Sequence, residues 1–136
     1  MGKETGVPTT SVTVDDSGGS GEAITDDITS WGITTPRNVQ DVTGVGKSAF
    51  ARLLGLVDGG VDYTMVFNDA ASPSMFDVFK TVPSSTVQRT NVIVQSGQTM
   101  TMETIFADFP LTRAANGELT SSVTGQLSNG TAPAWS

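Results

Sequence analysis

Residues 61 to 67 read Val-Asp-Tyr-Thr-Met-Val-Phe, with large apolar side chains at 61, 63, 65 and 67. A two-residue repeat sends alternate side chains to opposite faces of an extended chain, so this stretch fits a half-buried β-strand. The same logic applies at Met100 and Met102, where Thr99, Thr101 and Glu103 intervene and the run continues through Ile105 and Phe106. It applies again where Leu119, Val123 and Leu127 share a face opposite Thr120, Ser122, Thr124 and Gln126. Thr86 to Gln95 carries Val92, Ile93 and Val94 and closes at Ser96-Gly97, which predicts a further strand and a turn. Near the start, Ser11 to Asp16 alternates, Ser17-Gly18-Gly19-Ser20-Gly21 follows, and Ile24 and Ile28 lie beyond. That pattern predicts a β-hairpin with a five-residue loop; a flexible Gly-Ser linker is the plainer alternative.

One helix interrupts the strands. Ser72 to Lys80 places Met75, Phe76 and Phe79 on one stripe, with Ser72 suited to the N-cap, Pro73 to the first turn and Pro83 to the stop. Residues 37 to 60 are the least regular. Val39 to Thr43 fits a short strand, and Phe50, Leu53, Leu54 and Leu56 read as an apolar stretch holding at most one helical turn within a long loop. One helix among six or seven strands predicts a single mainly β domain over residues 1–136, a β-sandwich or small barrel with a flanking helix. An apolar yet irregular stretch is hard to cover inside a 14.1 kDa sandwich, so it points to a partner.

Composition narrows the function classes. There is no Cys and no His, which excludes thiol chemistry, thiolate or imidazole metal sites and Ser-His or Cys-His catalysis. Any acid–base catalysis would rest on carboxylates, Lys80 or Tyr63, and these form no recognisable constellation, so no enzyme and no cofactor is expected. Fourteen acids against seven bases give a net charge of −7, opposite to the balance of a protein that coats nucleic acid. No apolar run approaches the ~20 residues of a membrane helix. Met1 to Gly6 leads into no apolar leader segment, which gives the expectation of a soluble protein made inside the cell.

Four motifs invite a chemical reading. Asp41-Val42-Thr43-Gly44-Val45-Gly46-Lys47-Ser48 lacks the first glycine of a phosphate-binding loop, and a carboxylate there would repel the phosphate. Asp15, Asp16, Glu22, Asp26 and Asp27 form an acidic group around the hairpin loop that matches no EF-hand spacing and reads as solvated charge, not as a metal site. Asn129-Gly130-Thr131 has the form of a glycosylation sequon, which carries no meaning if, as expected, the chain has no secretory signal. Trp31 and Trp135 suit either sugar stacking or anchoring at a protein interface, with docking onto a neighbour the stronger reading.

The order of these elements resembles the major tail protein (tail tube protein) of long-tailed, non-contractile bacteriophages. Four stretches carry the resemblance: Val12 to Gly19 leading to Ile24 to Ser30; Gln40 to Gly44; Leu53 to Gly59 running into Val61 to Asp69; and Gly117 to Leu127 followed by Ser128 to Trp135. The resemblance implies a tail-tube-like β-sandwich forming hexameric rings that stack into a hollow tube in the virion tail, assembled in the host cytoplasm. It implies a tape-measure protein within, tail-tip and tail-terminator proteins at the ends, and viral DNA passing through the lumen unbound, past acidic walls. By position, residues 38–60 are the inter-subunit loop, the chain termini are arms, and 128–136 is the C-terminal arm. The interface residues expected are Trp31, Val42, Phe50, Leu53, Leu54, Leu56 and Trp135. A related secretion-tube subunit and a carbohydrate-binding or adhesion module are the alternatives.

Overall fold

A computed structural model describes residues 10–85 and 87–136. The expected N-terminal arm therefore falls largely outside the described residues. Strand β1 (Thr10–Asp15) turns back into β2 (Gly21–Ala23), and a short 3-10 turn at Thr25–Asp27 leads to β3 (Ile28–Thr34). Next come β4 (Arg37–Asp41), β5 (Arg52–Val57) and β6 (Gly60–Val66), then helix α1 (Met75–Phe79). The chain ends with β7 (Arg89–Gln95), β8 (Gln98–Phe106), β9 (Thr112–Arg113), β10 (Leu119–Leu127) and β11 (Ala134–Trp135).

Nine of these strands form one antiparallel sheet in the order β2-β1-β7-β8-β10-β6-β3, with β11 added on β8 and β9 on β10. The sheet folds over on itself. The Tyr63 hydroxyl on β6 donates to Asn91 Oδ1 on β7 at 2.8 Å, although those strands are separated in the sheet by β8 and β10. Val12, Val14, Ile93, Met100 and Met102 from one half meet Val61, Tyr63, Met65 and Val123 from the other. Helix α1 contributes Met75, Val78 and Phe79, with the Phe79 ring edge-on to Phe106 at 5.0 Å. The mainly β sandwich with one flanking helix is thus the fold that the alternation predicts.

The local expectations hold in part. The Gly-Ser stretch is a tight loop and no linker: Asp16 Oδ1 accepts the Gly18 and Ser20 N–H groups, and Asp16 N–H donates to the Ser20 carbonyl. The β7–β8 turn at Ser96-Gly97 has φ of 52° and 82°, the left-handed pair that a two-residue hairpin requires. The helix begins later than the sequence suggests. Ser74 is its N-cap, because the Ser74 hydroxyl reaches the Asp77 N–H at 3.1 Å while Asp27 Oδ2 takes the Met75 N–H at 2.9 Å. Ser72 and Pro73 precede it, joined by a cis peptide bond.

The largest correction concerns residues 37–60. They hold no helical turn; β4 and β5 pair with each other as a separate two-stranded sheet. Sequence alternation fails there because neither face of the pair is covered, so no period of burial is imposed on the side chains.

Candidate functional site

The β4–β5 ribbon follows on from the β3–β6 pair as a sheet of its own. β3 pairs with β6 up to Thr34 opposite Gly60, and pairing resumes at Arg37 opposite Val57. Between those points the chain steps through Thr35-Pro36 on one leg and Asp58-Gly59 on the other. The Asp58 N–H donates to the Pro36 carbonyl at 2.9 Å. Gly59 has φ of 127°, and a Cβ there would lie 2.2 Å from the Thr34 carbonyl oxygen, so only glycine closes this junction. Arg37 Nε donates to the Gly55 carbonyl at 3.1 Å and braces the base of the ribbon.

Beyond that base, five of the seven expected interface residues lie on the ribbon, and all five are exposed. Phe50 is 72 % exposed and Leu56 89 %, and Val42, Leu53 and Leu54 are each at least half exposed. Val39 and Val45 belong with them and escape a sequence reading, since isolated valines carry no pattern. The Arg52 guanidinium stacks over Phe50 at 4.7 Å. Residues 42–50 form the ribbon tip, with Thr43 bridging Asp41 and Ala51. The phosphate-loop look-alike is therefore a hairpin tip with no helix behind it.

The two tryptophans are placed apart from that surface. Trp31 stands on β3 opposite Tyr63, half-buried against the core. Trp135 is about half exposed on β11, which pairs with β8 through Trp135 opposite Met100. Ser136 exchanges both backbone hydrogen bonds with Thr99, so the end of the C-terminal segment lies along its own sheet. An open groove of roughly 580 Å³ separates that segment, at Gly130 to Pro133, from Leu56 and Val57 of the ribbon.

The acidic group around the first hairpin is not simply solvated. Asp27 is buried and caps α1, also accepting from Asn68 Nδ2 at 2.9 Å. Glu22 is 6 % exposed and faces Asp16 and Asp77, whose carboxylates come within 4.8 Å of its own. Burial raises the Glu22 carboxyl to about 7, with Asp77 adding to the effect. Asp77 is held below the usual carboxylate range by Glu22 and then by Lys80, which pairs with it at 2.9 Å. Asp77 joins this group only through the fold, being 55 positions from Glu22 in the chain.

Comparisons with known proteins place the fold. No protein-family model matches the sequence, and no curated protein matches it significantly. Among solved structures, a chain from the virion of a native gene transfer agent (GTA) particle has a TM-score of 0.72 at 14 % identity, covering 98 % of this chain and 99 % of that one. A chain from the tail of an empty GTA particle, with C6 symmetry, gives 0.70 at 16 %, covering 98 % of each. A chain from the six-fold symmetrised baseplate of the anti-feeding prophage (AFP) gives 0.68 at 13 %, covering 100 % of this chain and 97 % of that one. The likeness spans the whole domain in each case. At such identities it is a shared fold.

Proposed function

We propose that this chain is a structural subunit of a phage-like tail tube, forming hexameric rings that stack into a hollow conduit. The observation that carries the reading is the uncovered β4–β5 ribbon. Two-stranded ribbons are marginal in water on their own, and this one displays Val39, Val42, Phe50, Leu53, Leu54 and Leu56. A second copy of the chain would give those side chains the cover that the fold does not. End-to-end likeness to chains of six-fold tail and baseplate particles supports this symmetry and a virion-tail location.

In this reading residues 38–60 reach a neighbouring subunit, and Trp135, with the groove along Gly130 to Pro133, serves contacts between rings. Trp31 is the weakest of the expected contacts, because part of its ring is already used by the core. The role is structural and non-catalytic, with a tape-measure protein inside the tube and tip and terminator proteins at its ends. The net charge of −7 suits a lumen through which DNA slides without adhering. Negative-stain electron microscopy of concentrated protein, with light scattering on the same sample, tests the proposal. Rings or tubes with a central channel are expected, alone or after addition of tail-tip components. A uniform monomer under both conditions would overturn the reading.

A further inference from the structure

A second feature, at the β2 edge of the sheet and formed by other elements than the ribbon, involves the carboxylates of Asp16, Glu22 and Asp77. They come from the β1–β2 loop, from β2 and from α1, and each places a ligand oxygen within 4.8 Å of the other two. Oxygens bound to one calcium ion at about 2.4 Å lie at most about 4.8 Å apart, a condition that each pair of these three meets. Asp16 Oδ1 is committed to the Gly18 and Ser20 N–H groups, Asp77 Oδ1 to Lys80, and Glu22 Oε1 to the Ser72 hydroxyl at 3.2 Å. That leaves one oxygen of each carboxylate facing only the other carboxylates. The one on Glu22, Oε2, is buried and receives no N–H or O–H from outside the group, which is costly for a carboxylate unless a cation, or a proton shared with Asp77, satisfies it.

We propose that Asp16, Glu22 and Asp77 bind a divalent cation of calcium size, with Ser72 at its margin and water completing the shell. Three carboxylates and the Lys80 ammonium carry a net charge of −2, which one divalent ion neutralises. Hard oxygen donors without nitrogen or sulfur select calcium or magnesium over transition metals. Magnesium requires oxygens about 2.1 Å away in strict octahedral order, which suits three ligands from separate elements less well. The ion would tie the first hairpin to the start of α1, where Asp27 already caps the helix.

The test is calorimetric titration of the full chain with CaCl2 at pH 7.5 after EDTA treatment and dialysis, beside thermal melts with and without calcium. One site per chain is expected, with Kd between about 10 µM and 1 mM. A rise in melting temperature of about 5–10 °C is expected at a hundredfold excess over Kd. Glu22→Gln and Asp77→Asn should each weaken binding at least tenfold, while Glu118→Gln, in an exposed turn, should leave it unchanged. Absence of heat and of a melting shift in the wild-type protein would sink the site. An equal calcium response in wild type, Glu22→Gln and Asp77→Asn would sink it too. Both measurements read the individual subunit, so failure here is distinguishable from failure to form tubes.

Discussion

Arg89 and Asn91 show what the interior of this sandwich asks of single side chains. Arg89 is 1 % exposed, and its guanidinium donates to the Asp15 and Val78 carbonyls and to Thr81 Oγ1, joining β1 to the end of α1. Asn91 gives its amide to Thr104 Oγ1 and to two carbonyls and receives the Tyr63 hydroxyl. Tyr63→Phe should lower unfolding stability by about 1–2 kcal/mol in urea titrations, because it strips the buried Asn91 oxygen of its donor. None of this was legible in the sequence. Inward-facing polar residues on β7 have the same pattern as outward-facing ones, so Val92-Ile93-Val94 marks the strand without marking Arg89 and Asn91 as buried. Glu22 reads in the sequence as solvated charge, and its burial is hidden for the same reason. With metal removed, its carboxyl faces Asp16, Asp77 and Lys80, and its folded pKa of about 7 exceeds the ordinary 4.5. The folded state then holds the proton more tightly than the unfolded one. The resulting stabilisation, about 3 kcal/mol at most, is full below pH 4.5 and lost as pH rises through 7, while the lowered Asp16 and Asp77 stay ionised across that window and leave its slope unchanged. Urea titrations in EDTA at pH 5 and pH 8 should show that fall, and Glu22→Gln should flatten it.

Elements were legible in proportion to how one-sided their burial is. β6, β8 and β10 each present one face to the core, so Val61, Tyr63 and Met65, or Met100 and Met102, repeat at two-residue spacing. β5 has no covered face, and its adjacent Leu53 and Leu54 look like neither strand nor helix. If those leucines meet another subunit, Leu53→Asp with Leu54→Asp should abolish rings and tubes in electron micrographs while circular dichroism and melting temperature stay near wild type. Tubes formed by the double variant would refute the contact. The opposite behaviour is expected at Gly60, where a Cβ would lie 1.7 Å from the Gly125 carbonyl oxygen across the β6–β10 ladder. Gly60→Ala should force those backbones apart and leave the protein insoluble or melting well below wild type, whatever its capacity to assemble.

For the whole molecule, the sequence carried the class and order of the elements, and the fold added which surfaces are left over. The C-terminal segment is one such surface, with Trp135 half exposed although β11 is laced to β8. Deleting residues 129–136 should shorten or abolish tubes while circular dichroism retains the β spectrum; equal loss of both would remove the arm from the assembly scheme. The ribbon is the other surface, and its attachment has a consequence for how such a chain can diverge. It leaves the body through two short legs at Pro36 and Gly59 and contributes no side chain to the buried core. Changes in its length or sequence therefore carry little energetic coupling to the sandwich. A ribbon from a related fold could be transplanted between Thr35 and Asp58 onto this body, exchanging the choice of neighbour while the host domain continues to fold as before.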